Sequence, residues 1–415
     1  MITLIKYELT KLFRRRTTKV LLIASFALCL ILLVGSLLTF EITDSNMNIR
    51  RGMSAIEYDR TTQKQFAGEY STKEATALLA KIEAVNNNPQ YKRTENQPAN
   101  NPSPLTDEAY YKYLKKYDPV WTIINYQQAF PELITEVERG DLFQIYQQKA
   151  KSLDDMKNIP APDPNNPVAQ KLTAMYKNVK IPFHIDYIEG WNKLIYGFSQ
   201  ILALLISAIV IICLSPMFSD EYSTGAAAIL LTTKHGKNKL IKAKIAAAFA
   251  FNTSVFLIFA LLYTAFYGLT YGFSGAASNI QTSADFLISP YNLTMSELFL
   301  RVLGIGYLGL MCLTAITLFI SSKSRNAYTA LIPLAAILFL PLIDFSGISK
   351  VLQKILLLFP IHVMRVSEIY PMANFYNIFG LLFDQASMAI IISVLLIIVF
   401  VPLSYRAFKS YQEQG

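Results

Sequence analysis

Two adjacent carboxylates, Asp220 and Glu221, stand in a stretch whose neighbouring charges are lysines. Carboxylates placed this way make ion pairs, either with lysines of the same chain or with a basic groove on a partner. A second group of side chains offers hydrogen bonds without charge. Gln200, Asn252, Thr253, Ser254, Thr314 and Thr317 all lie within long apolar runs. A path lined by such groups suits a lipid-like or amphipathic cargo better than a small ion, because ion-coupled carriers place ionisable groups there. The other chemical patterns lead elsewhere. Gly304-x-Gly306-x-x-Gly309 matches the letters of a dinucleotide fingerprint but lies inside an apolar run with no preceding strand. Small residues that let helices approach closely explain it better, and Gly268-x-x-x-Gly272 reads the same way. His184, His235 and His362 are far apart and show no metal-ligand spacing. Cys29, Cys213 and Cys312 sit in apolar runs and read as small packing residues. A phosphate loop, a Gly-x-Ser-x-Gly elbow and a His-Glu-x-x-His pair are all missing. The chain is therefore expected to carry no metal or cofactor of its own and not to be an enzyme.

The elements that must position these residues follow from composition. Of 415 residues, 53% are hydrophobic and only 16% charged, against about 25% charged in soluble domains. A mean hydropathy of only +0.33 means that two unlike materials are averaged. A bilayer core of about 30 Å needs roughly 20 apolar helical residues. Six stretches without Asp, Glu, Lys or Arg meet or approach that length: 20–40, 194–215, 245–269, 302–322, 326–343 and 385–405. The fifth is short and carries Pro333 and Pro341. The first follows Arg14-Arg15-Arg16, as a signal peptide would, but its apolar run exceeds the 7–15 residues of a cleavable signal. It reads as an uncleaved anchor.

Basic residues in the short loops set the orientation. Placing the N-terminus inside gathers Lys6, Lys11, Arg14–Arg16, Lys19, five lysines between 234 and 244, Lys323, Arg325, Arg406 and Lys409 on one side. The opposite short loops hold only Arg301, Lys350, Lys354 and Arg365. Both termini are thus expected in the cytoplasm. The net charge of +9 then marks a surface facing anionic lipid rather than a nucleic-acid groove. On that basic face Asp220 and Glu221 read as the only acidic residues. Residues 41–193 hold 19 Lys and Arg and 20 Asp and Glu, which describes a polar domain outside the membrane. Its helices are expected from a capping-box-like Ser71-Thr72-Lys73-Glu74, from Thr106-Asp107-Glu108 and over 132–157, with Asn/Pro-rich breaks at 86–89, 94–105 and 160–167. The Tyr110-Tyr111-x-Tyr113 group reads as core rather than a binding face. Phe183, Tyr187 and Trp191 suit a membrane interface.

The loop after the second span reads Pro216-Met217-Phe218-Ser219-Asp220-Glu221-Tyr222-Ser223-Thr224-Gly225, then Leu230-Leu231-Thr232 and, as the third span begins, Lys244. Phe218, Glu221, Gly225, the Leu-Leu-Thr stretch and that lysine resemble the membrane subunits of type-2 ATP-binding-cassette (ABC) exporters. In that family the segment is the coupling helix, which docks in a groove of a separate ATPase. Residues 2–16, with Leu4, Ile5, Leu9, Leu12 and Phe13 on one side, look like the family's amphipathic connecting helix. Residues 348–359 with Pro360 resemble its outer interfacial helices. The turn Lys234-His235-Gly236-Lys237 departs from the family's Arg-containing turn. The large outside domain is absent from the family's polysaccharide exporters, which argues against a polysaccharide cargo.

The expected fold is therefore an all-α polytopic membrane protein. A connecting helix (1–19) leads into helix 1 (20–40), a mostly helical extracytoplasmic domain (41–193), and helices 2–6 (194–415). The last part includes a coupling loop (216–244) and an outer interfacial segment (344–384). The expected function is that of a permease subunit of an ATP-driven exporter in a bacterial cell membrane, moving lipids, antimicrobial peptides or drugs outward. Phe218, Asp220, Glu221 and Gly225 would couple to two ATPase copies that hold ATP and Mg, and a second membrane subunit, identical or related, would complete the assembly. The rival reading is a non-transporting receptor, immunity protein or sensor whose outside domain binds an envelope ligand.

Overall fold

A computed structural model describes residues 1–70, 72–94, 103–118, 120, 123–124, 167–233 and 236–410. The expected helix over 132–157, the cap residue Ser71 and His235 lie outside the described residues. Helix α1 (Ile2–Arg14) ends at an extended Arg15, and α2 (Arg16–Leu38) starts at the next residue. Residues 16–19 thus belong to the long apolar helix, not to the helix before it. Beyond α2, strands β1 (Glu41–Thr43) and β2 (Ile49–Arg51) form a hairpin that leads into α3 (Met53–Lys64). Strand β3 (Gly68–Glu69) precedes α4 (Thr72–Asn86). The helical turn at Asp107–Ala109 is capped by Thr106, whose hydroxyl accepts from the Ala109 amide at 3.3 Å. Helix α5 (Pro167–Lys177) and strand β4 (His184–Ile185) follow. Strand β4 pairs antiparallel with β3, Gly68 opposite Ile185, which brings the two ends of the polar segment together.

The chain then runs through α6 (Glu189–Tyr196), a π-helical stretch from Gly197 to Leu202, α7 (Ala203–Leu214) and α8 (Pro216–Ser223). After the short α9 (Ala226–Thr232) come the long helices α10 (Ile241–Thr270) and α11 (Met295–Lys323). Helix α12 (Ala327–Phe339) is shorter, followed by α13 (Lys350–Leu356) and α14 (Pro360–Met364). Strands β5 (Phe375–Ile378) and β6 (Leu381–Asp384) form a hairpin before α15 (Gln385–Lys409). The described chain is mostly helical, as expected, and adds three small two-stranded sheets, two of them hairpins and one a pairing of distant strands. Two of the sheets join elements of the polar segment and the third leads into α15. Each is short enough to escape a search for apolar periodicity.

Among the described residues, five helices are long and apolar enough to cross a membrane: Arg16–Leu38, Glu189–Ser223, Asn238–Thr270, Met295–Lys323 and Gln385–Lys409. The remaining expected span is α12 with a 3₁₀ turn from Leu340 to Leu342. At 1.5 Å per residue its 13 α-helical residues rise about 20 Å, less than the roughly 30 Å hydrocarbon core. Pro333 removes one donor inside it and Pro341 stands in the tighter turn. Helix α11 is the hub. It packs on α15, α14, α7, α8, α10 and α12, and its start is fixed by a reciprocal capping box of Thr294 and Glu297. One apolar core runs from Leu12 of α1 to Phe408 of α15. In the glycine run on α11, Gly309 allows a close approach, since a Cβ there would fall 3.0 Å from both Val363 and Met364 of α14, whereas one at Gly306 would come no nearer than 3.8 Å and one at Gly304 would meet nothing within 4 Å. That part of the expectation holds. Gly268, by contrast, makes room for the ring of Phe273 rather than for a second helix.

Tyr110 is buried, Tyr91 stacks on Tyr113 at 4.8 Å, and the Tyr110 hydroxyl donates to Asp118, all of which is core packing. Phe183, Tyr187 and Trp191 are buried too. The Trp191 indole donates to the Ser274 carbonyl at 2.9 Å and its ring tilts against Phe273 and Phe299. These aromatics therefore join the polar segment to the α10–α11 loop. The Tyr176 hydroxyl bond to the Ile288 carbonyl at 2.7 Å and the His184 amide bond to Asn279 at 2.9 Å act at the same junction.

Candidate functional site: an ion-pair joint among three helices

Helix α8 starts with Pro216 at its first position, where proline loses no needed hydrogen bond. Its Phe218, Ser219 and Glu221 turn inward and are buried. Ser321 of α11 receives α8, since its hydroxyl accepts the amides of Phe218 (3.0 Å) and Ser219 (3.3 Å) and donates to the Ser215 carbonyl (2.6 Å). The Tyr222 hydroxyl reaches the Ser322 carbonyl at 2.9 Å. The Phe218 ring meets Phe408 of α15 at 4.8 Å. Helix α8 is thus wedged against the ends of α11 and α15.

Glu221 faces the protein rather than solvent. Its Oε1 lies 2.8 Å from Lys11 Nζ on α1 and 2.7 Å from Lys244 Nζ on α10. Lys244, 1% exposed, also reaches Glu8 on α1 at 3.0 Å. Arg15, at the α1–α2 break, pairs with Asp220 at 3.2 Å. Glu8 therefore corrects the reading that Asp220 and Glu221 are the only acids on this face. Glu8 falls among Ile5, Leu9 and Leu12, at the spacing of the apolar side of α1. A carboxylate in an apolar stripe is itself a signal of a buried partner, and that signal was available in the sequence. The two buried carboxylates share the buried Lys244 ammonium, and Lys11 supplies the second positive charge that balances them at low dielectric. The apolar side of α1 completes the joint, with Leu12 buried and Phe13 packed 5.1 Å from Phe251 of α10.

Asp220 is partly exposed, and Gly225 is exposed at the α8–α9 bend with φ +69°. Glycine takes this left-handed conformation without the penalty of a side chain. Ile229 of α9 is 72% exposed. The four residues expected to act together are thus divided: Phe218 and Glu221 anchor the segment, while Asp220 and Gly225 lie at its surface.

The uncharged candidates do not sit in one place. Asn252 of α10 donates to Thr314 Oγ1 of α11 at 2.7 Å and to the Leu310 carbonyl at 3.2 Å, fastening those helices. The Thr253 hydroxyl meets that of Tyr307, a residue the sequence reading missed, at 2.8 Å. Ser254 and Thr317 bond the carbonyls one turn back in their own helices, Ala250 and Leu313. Gln200 is at the opposite end of the bundle from α1. It accepts from Arg365 Nε at 2.9 Å and donates to Glu368 at 3.1 Å. Burial would push the Glu368 carboxyl up, but hydrogen bonds from His362 and Gln200 and the Arg365 charge hold it below its ordinary value. His362 anchors this second cluster through Nε2, 2.8 Å from the Pro341 carbonyl. Phe198, Leu202, Phe256, Val302, Leu310 and Met364 are among the residues around a small apolar cavity of ≈ 20 Å³, room for about one water.

Cys29, Cys213 and Cys312 are free and buried. No group of three or more His, Cys, Asp or Glu side chains fit to hold a metal ion occurs among the described residues. The family model described as ABC-2 family transporter protein matches residues 2–411. Searches of curated proteins and of solved structures return no match. The matched span takes in the ion-pair joint, the hub helix α11 and the polar segment together, and the chain belongs to the ABC-2 family of membrane transport permeases.

Proposed function

We propose that the chain is the permease subunit of an ATP-driven exporter, energised by a separate ATPase. The observation that carries this reading is the joint around Glu221. A short helix pinned by buried charges to α1 and α10, and wedged on α11 and α15, moves those helices when it is pushed. The exposed corner at Asp220, Gly225 and Ile229 is the surface on which an ATPase acts. Basic residues concentrated at the α1 end support placing that end, and both termini, in the cytoplasm of a bacterial cell. α12 then completes six crossings, and residues 41–193 lie outside. In this reading ATP and Mg are held by two ATPase copies, and a second membrane subunit pairs with this one.

The uncharged spans favour a cargo with an apolar body, such as a lipid, an amphipathic peptide or a drug. In proteoliposomes holding this chain and its ATPase, ATP is expected to drive movement of a fluorescent lipid or peptide probe. The double variant Glu221→Arg with Gly225→Pro is expected to abolish that movement and to release the ATPase on co-purification. Full ATPase binding by the double variant would overturn the coupling assignment. ATP-independent probe movement would overturn the energy source.

A further inference from the structure

We infer that α1 carries a binding site for a phosphate group, and that its occupant is the headgroup of an anionic lipid in the leaflet where α2 begins. On the side of α1 away from α10, Lys6, Tyr7, Thr10, Lys11, Arg14 and Arg15 line an open groove of ≈ 570 Å³. They recur every three or four residues and so share one helix face. The groove lining contains four cations, a phenol and hydroxyls, and no carboxylate.

The surrounding charge is not balanced. Lys6, Lys11, Arg14, Arg15 and Lys244 face three carboxylates, Glu8, Asp220 and Glu221. Arg15 uses Nη2 on Asp220, whereas its Nη1 is buried without a hydrogen-bond partner. Lys6 and Arg14 line the open groove and make no ion pair among the described residues, so a phosphate there gains charge-assisted hydrogen bonds from both, the Arg14 guanidinium in fork geometry. The site's position favours lipid over a dissolved anion. Arg15 is the residue at which α1 gives way to the long apolar α2, and exposed Ile2 (82%) and Tyr7 flank the groove. An apolar residue and an amphipathic ring beside cations at the foot of a spanning helix fit the headgroup layer. Because Lys11 and Arg15 also hold Glu221 and Asp220, an occupied groove would set the position of α8.

This inference rests on the proposed placement of α1 at the cytoplasmic leaflet, but its test requires no transport. The full-length chain is placed in neutral phosphatidylcholine nanodiscs, and bound phosphatidylglycerol is measured by native mass spectrometry during titration. Wild type is expected to retain phosphatidylglycerol, and the Lys6→Gln/Arg14→Gln variant to lose about 30-fold in affinity. A control pair, Lys239→Gln/Lys242→Gln, removes the same charge from α10 and the turn before it and is expected to leave affinity unchanged. If the first pair perturbs folding, Arg14→Gln alone reads the same site at a smaller loss. Equal losses in both pairs would reduce the effect to general surface attraction and overturn the site. Displacement of the lipid by millimolar inorganic phosphate would overturn the lipid assignment, and displacement by the ATPase would give the groove to the partner. A chain that binds the lipid yet moves no cargo would contradict only the export reading.

Discussion

The two ends of the helical bundle are held by polar clusters of different character. At the α1 end, Lys244, Glu8 and Glu221 have almost fully buried side chains and pair at 2.7–3.0 Å. At the opposite end, Arg365 and Glu368 pair directly at 2.6 Å and both bond the neutral Gln200, but their side chains are 25% and 38% exposed. Buried charges leave few alternative arrangements, because losing one partner strands another in a poor dielectric. Half-exposed groups trade partners with water at little cost. The contrast describes a lever fixed firmly where force would enter and loosely where cargo would leave.

The sharpest way to break the comparison is to remove one charge at each end. Lys244→Met leaves Glu8 without its described cation and Glu221 with Lys11 alone, so a loss of about 3–5 kcal/mol in stability is expected. Thermal or denaturant unfolding in detergent measures it, and the triple variant Lys244→Met/Glu8→Gln/Glu221→Gln should recover much of it. Burial pushes the Asp59 carboxyl on α3 up to about 6, helped by the Glu189 charge and opposed by the Gln63 hydrogen bond and Lys115. The folded chain therefore holds that proton more tightly than the unfolded chain. Its stabilising contribution is complete below about pH 4 and is lost as pH rises to about 6. Asp59→Asn should flatten that slope, worth up to about 3 kcal/mol, in pH-dependent unfolding of the same preparation.

Asn252→Ala removes the donor that fastens α10 to Thr314 and is expected to cost about 1–3 kcal/mol, read as a lower melting temperature. Glu368→Gln at the looser end should cost no more than about 1 kcal/mol. A loss matching that of Lys244→Met would erase the difference between the ends. The smallest effect is expected at Arg51→Ala, whose ion pair with Glu41 is exposed on both sides, with a change under about 1 kcal/mol.

Much of the bundle is legible in the sequence because a membrane demands long uncharged runs, and residues near 20–40, 194–215 and 385–405 have few other uses. The helix ends are less legible. Helix α10 starts at Ile241, four residues before the uncharged run, because Lys244 is tolerated once Glu8 and Glu221 meet it. Pairings of that kind join residues more than 200 positions apart, as Lys244 and Glu8 are, and no local pattern reveals them. The same limit explains the uncharged candidates. Asn252 and Thr314 are visibly polar in sequence, yet only packing shows that they satisfy each other rather than lining a passage. The inward turn of Glu221 was likewise hidden, although Phe218, about one turn earlier on the same helix face, signals a buried side.

In the proposed function, the exposed α8–α9 corner is where an ATPase engages this permease. The most direct measurement places a photo-crosslinking amino acid at Ile229, on the outward side of α9, in the full complex with its ATPase. Efficient cross-links to the ATPase are expected from Ile229, and none from the same probe at Phe379 on the far hairpin. Cross-links from Phe379 but not from Ile229 would contradict it.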